Sequence, residues 1–146
     1  MNILVLHGPN LNTLGHRETD IYGTHSFADL SDSLDATATR LGVKLTQLQS
    51  NHEGQIVDWI HQAREAACGI VIKPGAYSHT SIAILDALNA FEAPVMEVHI
   101  SQIHKRETFR HHSYVSHRAD AVIAGLGLDG YVAGVRRICS LAGAAG

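Results

Sequence analysis

The sequence predicts an α/β fold, a flavodoxin-like, doubly wound parallel sheet of five strands with helices on both faces. Two observations carry this. Five short apolar runs alternate with longer amphipathic ones, the pattern of repeated strand–helix–strand units. The connections are short, and right-handed crossovers then place helices on both faces of a parallel sheet. The length of 146 residues suits one domain, residues 1–146, and a hydrophobic fraction of 45% is ample for one core.

The first strand is Ile3-Leu4-Val5-Leu6. A helix is predicted from Ser26 to Leu41, with Phe27, Leu30, Leu34 and Ala38 at helical spacing. Ser26 is its expected N-cap and Gly42 its C-terminal stop. Val43–Leu48 reads as the second strand, with Ser50 or Asn51 as candidate caps for the next helix. Ile56, Ile60, Ala63 and Ala67 stripe that second helix. Gly69–Ile72 forms the third strand, ended by Pro74-Gly75. A third helix is expected over His79–Phe91, with Ile82, Leu85 and Leu88 facing inward. Pro94–Val98 and Ala121–Ala124 are the last strands, and Tyr131–Leu141 the last helix.

Composition excludes several classes of partner. Lys and Arg number 11 against 14 Asp and Glu, without a basic block, which argues against nucleic acid or an anionic membrane. No apolar run is long enough to span a bilayer, and no basic-then-apolar leader opens the chain. Cys68 and Cys139 sit in apolar settings and read as buried free thiols, which suits a reducing cytoplasm.

In doubly wound sheets ligands bind beyond the carboxyl ends of the strands. After the first strand comes Gly8-Pro9-Asn10, then a polar stretch to Gly23, long enough to act as a lid. It holds Arg17 and Tyr22, and a fixed cation beside a tyrosine favours tyrosinate, a base. After the third strand come Lys73-Pro74-Gly75 and a helix start. Capping explains Ser78 or Thr80 there but leaves His79 unexplained. The fourth strand ends in Glu97-Val98-His99. Residues two apart on a strand point to one side, so Glu97 can orient His99 and favour its protonated form, a general acid. Further on, Arg106, Arg110, His111, His112 and His117 cluster. Arg110 suits an anionic substrate. The histidines lack the spaced carboxylate or thiolate partners of a metal site and read as solvated.

Four blocks resemble the type II 3-dehydroquinate dehydratase family: GPNLNTLGHRETDIYG (8–23), QSNHEGQIVDWIHQA (49–63), PGAYSHTSIAILDAL (74–88) and EVHISQIHKRETFRHHS (97–113). They occur in the family's order and spacing, and GLGLDGY (125–131) resembles its tail. The resemblance implies a lyase of the shikimate pathway. It converts 3-dehydroquinate to 3-dehydroshikimate by anti elimination through an enolate, with no metal and no cofactor. It implies Tyr22 as base, Arg17 as the cation that holds it as tyrosinate, and Asn10 as the residue that positions a water at the enolate oxygen. His99 would be the acid, with Glu97 behind it. His79 and Arg110 would bind substrate hydroxyls, and the backbone N–H groups of Ile100 and Ser101 the carboxylate. Asp86 would reach in from a neighbouring subunit, since the family assembles as trimers within a homododecamer.

One position departs. The family carries Asn immediately before the Pro of the third block, where this chain has Lys73. An amide donates and accepts, whereas an ammonium only donates. Lys73 is expected to bind the substrate carboxylate or a hydroxyl. The alternatives are that it weakens catalysis, leaving a silent small-molecule binding module, or that it points away. A Schiff base with the substrate ketone is not expected, because the surrounding blocks are those of the type II family. Gln102 and Leu85 depart too, away from acid and base.

Overall fold

The computed structural model describes residues 1–143. Its sheet has five parallel strands: β1 (Asn2–His7), β2 (Lys44–Gln49), β3 (Gly69–Lys73), β4 (Val95–His99) and β5 (Ala121–Ala124). Their order is β2-β1-β3-β4-β5, the flavodoxin-like order expected from the sequence, with a switch point between β1 and β3. Five α-helices accompany it: α1 (Thr19–Tyr22), α2 (Phe27–Leu41), α3 (Glu53–Ala66), α4 (Ile82–Asn89) and α5 (Asp129–Leu141). Among the described residues, no helix is long and apolar enough to cross a membrane.

The alternation of side chains along each strand builds two cores. On one face Ile3, Val5, Val71, Met96 and Val98 pack against Leu30 and Leu34 of α2 and Val135 and Ile138 of α5. On the other, Leu4, Leu6, Ile70, Ile72 and Val95 meet Ile56 and Ile60 of α3 and Ile84 and Leu88 of α4. Ser26 caps α2 as expected. Its hydroxyl accepts from Asp29 N–H at 3.1 Å, and the Asp29 carboxylate accepts from Ser26 N–H at 2.8 Å, closing a capping box. Gly42 ends the helix at φ 66°.

The departures from expectation lie where helices begin and end. The third helix starts at Ile82 rather than His79, because a 3-10 helix (Gly75–His79) precedes it. Ser81, not Ser78 or Thr80, is its cap, accepting from Ile84 N–H at 2.9 Å. Ile82 faces outward, 53% exposed, while Ile84 and Ala87 join the expected Leu88 inside. Leu85 is half-buried. Neither Ser50 nor Asn51 caps α3, whose N-cap is His52. The short α1 inside the first long loop has no apolar stripe to announce it. Cys139 is buried, whereas Cys68 is only half-buried; both thiols are free.

His7, at the end of β1, is a structural residue that no sequence pattern marks. It is buried, within hydrogen-bond distance of Tyr131 Oη (3.2 Å) and Gln47 Oε1 (3.3 Å). Burial, with a contribution from Lys73, lowers its pKa from 6.5 to about 4. The unfolded chain therefore takes up a proton at this side chain between those values and the native protein does not, so stability falls as pH falls through that window. A shift of this size corresponds to about 3 kcal/mol of acid sensitivity. Denaturant unfolding of His7→Gln, which cannot titrate, should show a shallower loss of stability between pH 6.5 and pH 4 than wild type.

Candidate active site

The carboxyl ends of β1, β3 and β4 open into one cavity, lined largely by polar and charged side chains. Close packing of the first loop on the third forms its floor. Gly8 N–H donates to Lys73 C=O at 2.8 Å, and a Cβ on Gly8 would lie 2.4 Å from Pro74 O, so only glycine fits. Asn10 lies just beyond in a left-handed conformation (φ 70°), its N–H donating to Asn51 Oδ1 at 3.0 Å, and it lines the cavity.

Lining the same cavity are Arg17, Tyr22, Lys73, His79, His99, Ile100, Ser101 and Arg110, all singled out from the sequence. Glu97 stands behind His99 rather than in the cavity. Asp86 lies apart, exposed on α4. On that helix it is one turn beyond the exposed Ile82, so the two share a face.

β4 supplies the acidic half. Glu97 and His99 are both buried on the α3/α4 side, and His99 Nε2–H donates to Glu97 Oε2 at 2.8 Å. Ser113 Oγ donates to Glu97 Oε1 at 2.8 Å and Ser116 Oγ to Oε2 at 2.8 Å. Burial pushes the Glu97 carboxyl up, but the bonds from His99, Ser116 and Ser113 outweigh it and hold the group below its ordinary value. His79 Nδ1–H donates to His112 C=O at 2.7 Å. Burial keeps this imidazole below its ordinary value against the pull of that carbonyl.

The basic half comes from the other side. Tyr22 packs against the α2/α5 core, and three cations surround its ring. Arg17 Cζ lies 4.8 Å from the ring centroid, Arg106 Cζ 5.2 Å and Lys73 Nζ 5.8 Å. The direct hydrogen bond is made by Arg106, whose Nη1–H donates to Tyr22 Oη at 2.8 Å and to Ser101 Oγ at 3.2 Å. Arg17 instead pairs with its neighbour Glu18 at 2.6 Å. Arg106 is thus a site residue that sequence alone places in the basic cluster without a role. It is 84 residues from Tyr22, so no local pattern joins them.

Lys73 does not point away. It is 5% exposed, lines the cavity, and makes no ion pair among the described residues. Burial, reinforced by Arg17, Arg106 and Arg110, lowers its pKa from 10.5 to about 8. Of the four cations, Arg17 is offset by Glu18 and Arg110 by Glu107 at 2.8 Å. Arg106 lies only loosely against Glu107, at 3.8 Å. Lys73 and Arg106 are therefore the charges the cavity presents to an anion.

The family model described as "Dehydroquinase class II" matches residues 1–139. A relative from Cereibacter sphaeroides named 3-dehydroquinate dehydratase is 63% identical over 139 residues, covering 95% of each chain. A "Catabolic 3-dehydroquinase 2" from Neosartorya fischeri is 54% identical over 134 residues, covering 92% of this chain and 89% of its own. The crystal structure of the type II dehydroquinase from Butyrivibrio crossotus superposes with a TM-score of 0.93 at 42% identity, covering 94% of this chain and 97% of that one. The chain belongs to the class II dehydroquinase family.

Proposed function

We propose that the protein, working as one domain over residues 1–146, dehydrates 3-dehydroquinate to 3-dehydroshikimate by anti elimination through an enolate. The observation that carries this is that a tyrosine–arginine pair from the α2/α5 face of the sheet and a carboxylate-backed histidine from the α3/α4 face meet at one cavity. A proton leaves one face of the ring while the hydroxyl leaves the other, so base and acid must approach from opposite sides.

Tyr22 takes the proton next to the ketone, with Arg106 and Arg17 stabilising the tyrosinate. Asn10 positions a water that donates to the enolate oxygen. His99, oriented through Nε2 by Glu97, protonates the departing hydroxyl from its other ring nitrogen. His79 and Arg110 bind substrate hydroxyls, and the Ile100 and Ser101 N–H groups take the carboxylate, with Lys73 adding charge to that end. This reading is favoured over a silent binding module because Lys73 leaves both the acid pair and the base pair intact.

Asp86 serves a neighbouring subunit's site in a homododecamer of trimers. The exposed Ile82 on the same face of α4 gives that contact apolar surface to bury. The free thiols suit a cytoplasmic setting.

The direct test monitors enone absorbance on adding 3-dehydroquinate. Wild type should turn over, and Tyr22→Phe should lose about 10²-fold or more in kcat. An unaffected rate would remove Tyr22 as base. Lys73 gives a second test. A carboxylate binds the ammonium and not the amine, so substrate affinity should be full below pH 8 and weaken as pH rises through the Lys73 pKa of about 8. KM measured against pH should show that rise, and Lys73→Asn should abolish it.

A further inference from the structure

Outside the catalytic cavity, two exposed histidines face each other in a way the mechanism does not use. His112 Nε2 and His117 Nε2 lie 3.1 Å apart. We propose that these two nitrogens form a binding site for a divalent transition-metal ion, of which zinc is the probe. The remaining coordination positions are left to water, because among the described residues no third His, Cys, Asp or Glu joins them.

The distance, that of an Nε2–H···Nε2 hydrogen bond in the metal-free pair, also suits chelation. At a Zn–N bond of about 2.0–2.1 Å, nitrogens 3.1 Å apart subtend roughly 95–100° at the metal. That lies between the octahedral and tetrahedral angles. Neutral imidazole is the preferred nitrogen donor for zinc, nickel and copper. In the metal-bound form each ring carries its proton on Nδ1 and offers the Nε2 lone pair. In the metal-free pair one Nε2–H donates to the other Nε2, so metal binding replaces that proton; among the described residues neither Nδ1 has a hydrogen-bond partner, which leaves it free to take the proton.

The pair is also held in place before any metal arrives. Ser113 comes directly after His112, Ser116 directly before His117, and both serines donate to the buried Glu97 carboxylate. His117 ends a 3-10 helix (Val115–His117). The His112 ring sits edge-on to Tyr114, centroids 4.9 Å apart, and its carbonyl is fixed by His79. Glu97 therefore clamps the short loop from inside while the two imidazoles converge outside. The nearby His104–His111 pair offers no such site. Its rings are 5.8 Å apart and His111 Nε2–H is committed to Arg106 C=O at 2.9 Å. Sequence alone suggests solvated histidines, because no carboxylate or thiolate is spaced to join them. What makes the site is the convergence of two rings five residues apart, which only the folded loop creates.

Zinc chloride titrated calorimetrically into the chelator-treated, full-length protein tests this. Wild type should take up one equivalent per chain. His117→Ala, an exposed change outside the catalytic cavity, should weaken that uptake about tenfold or more, and His104→Ala should leave it as in wild type. Absence of zinc uptake by wild type, unchanged uptake by His117→Ala, or equal loss in His104→Ala would each overturn the proposal.

Discussion

The site depends on one buried carboxylate. Glu97 lies at the end of a central strand, fully removed from solvent, where an unpaired charge would be prohibitive. It is tolerated because His99, Ser113 and Ser116 all donate to it. Those bonds do three things at once. They fix the ring orientation of His99, they anchor the segment from Ser113 to Ser116, and through that segment they hold the His112 carbonyl against His79. Removing the carboxylate would free the His99 ring, the His79 contact and the loop together.

The opposite half is governed by cation crowding. Tyr22 has three cations within 6 Å of its ring, and only one of them bonds its hydroxyl. Arg17 and Arg110 carry local carboxylate partners, so the net field comes from Lys73 and Arg106. In the proposed reaction, a substrate carboxylate offsets part of that charge. An extra lysine is thus electrostatically compatible with the reaction. In the proposed reaction it sets the pH range over which the substrate anion is held.

The sheet was legible because its strands are short apolar runs and its longer helices carry apolar stripes. Ser26, Asp29 and Gly42 marked both ends of α2 by capping chemistry that acts over a few residues. The Glu97–His99 pair was legible for the same reason: a two-residue period is local. The start of α4 was not, because several hydroxyl-bearing candidates compete for the cap and a 3-10 turn intervenes. Nor was the Arg106–Tyr22 bond, which joins two segments brought together only by the sheet. Arg17 shares the loop of Tyr22 and drew the role, yet its nearest anion is the adjacent Glu18.

In the proposed reaction base and acid act from opposite faces of one ring. The measurement that reads it most directly uses 3-dehydroquinate carrying deuterium at one of the two prochiral positions next to the ketone, with the product analysed by mass spectrometry. Deuterium trans to the departing hydroxyl should be lost to solvent and deuterium cis to it retained. Retention of the trans label with loss of the cis label would mean syn elimination and would contradict Tyr22 and His99 as base and acid reaching the ring from opposite faces.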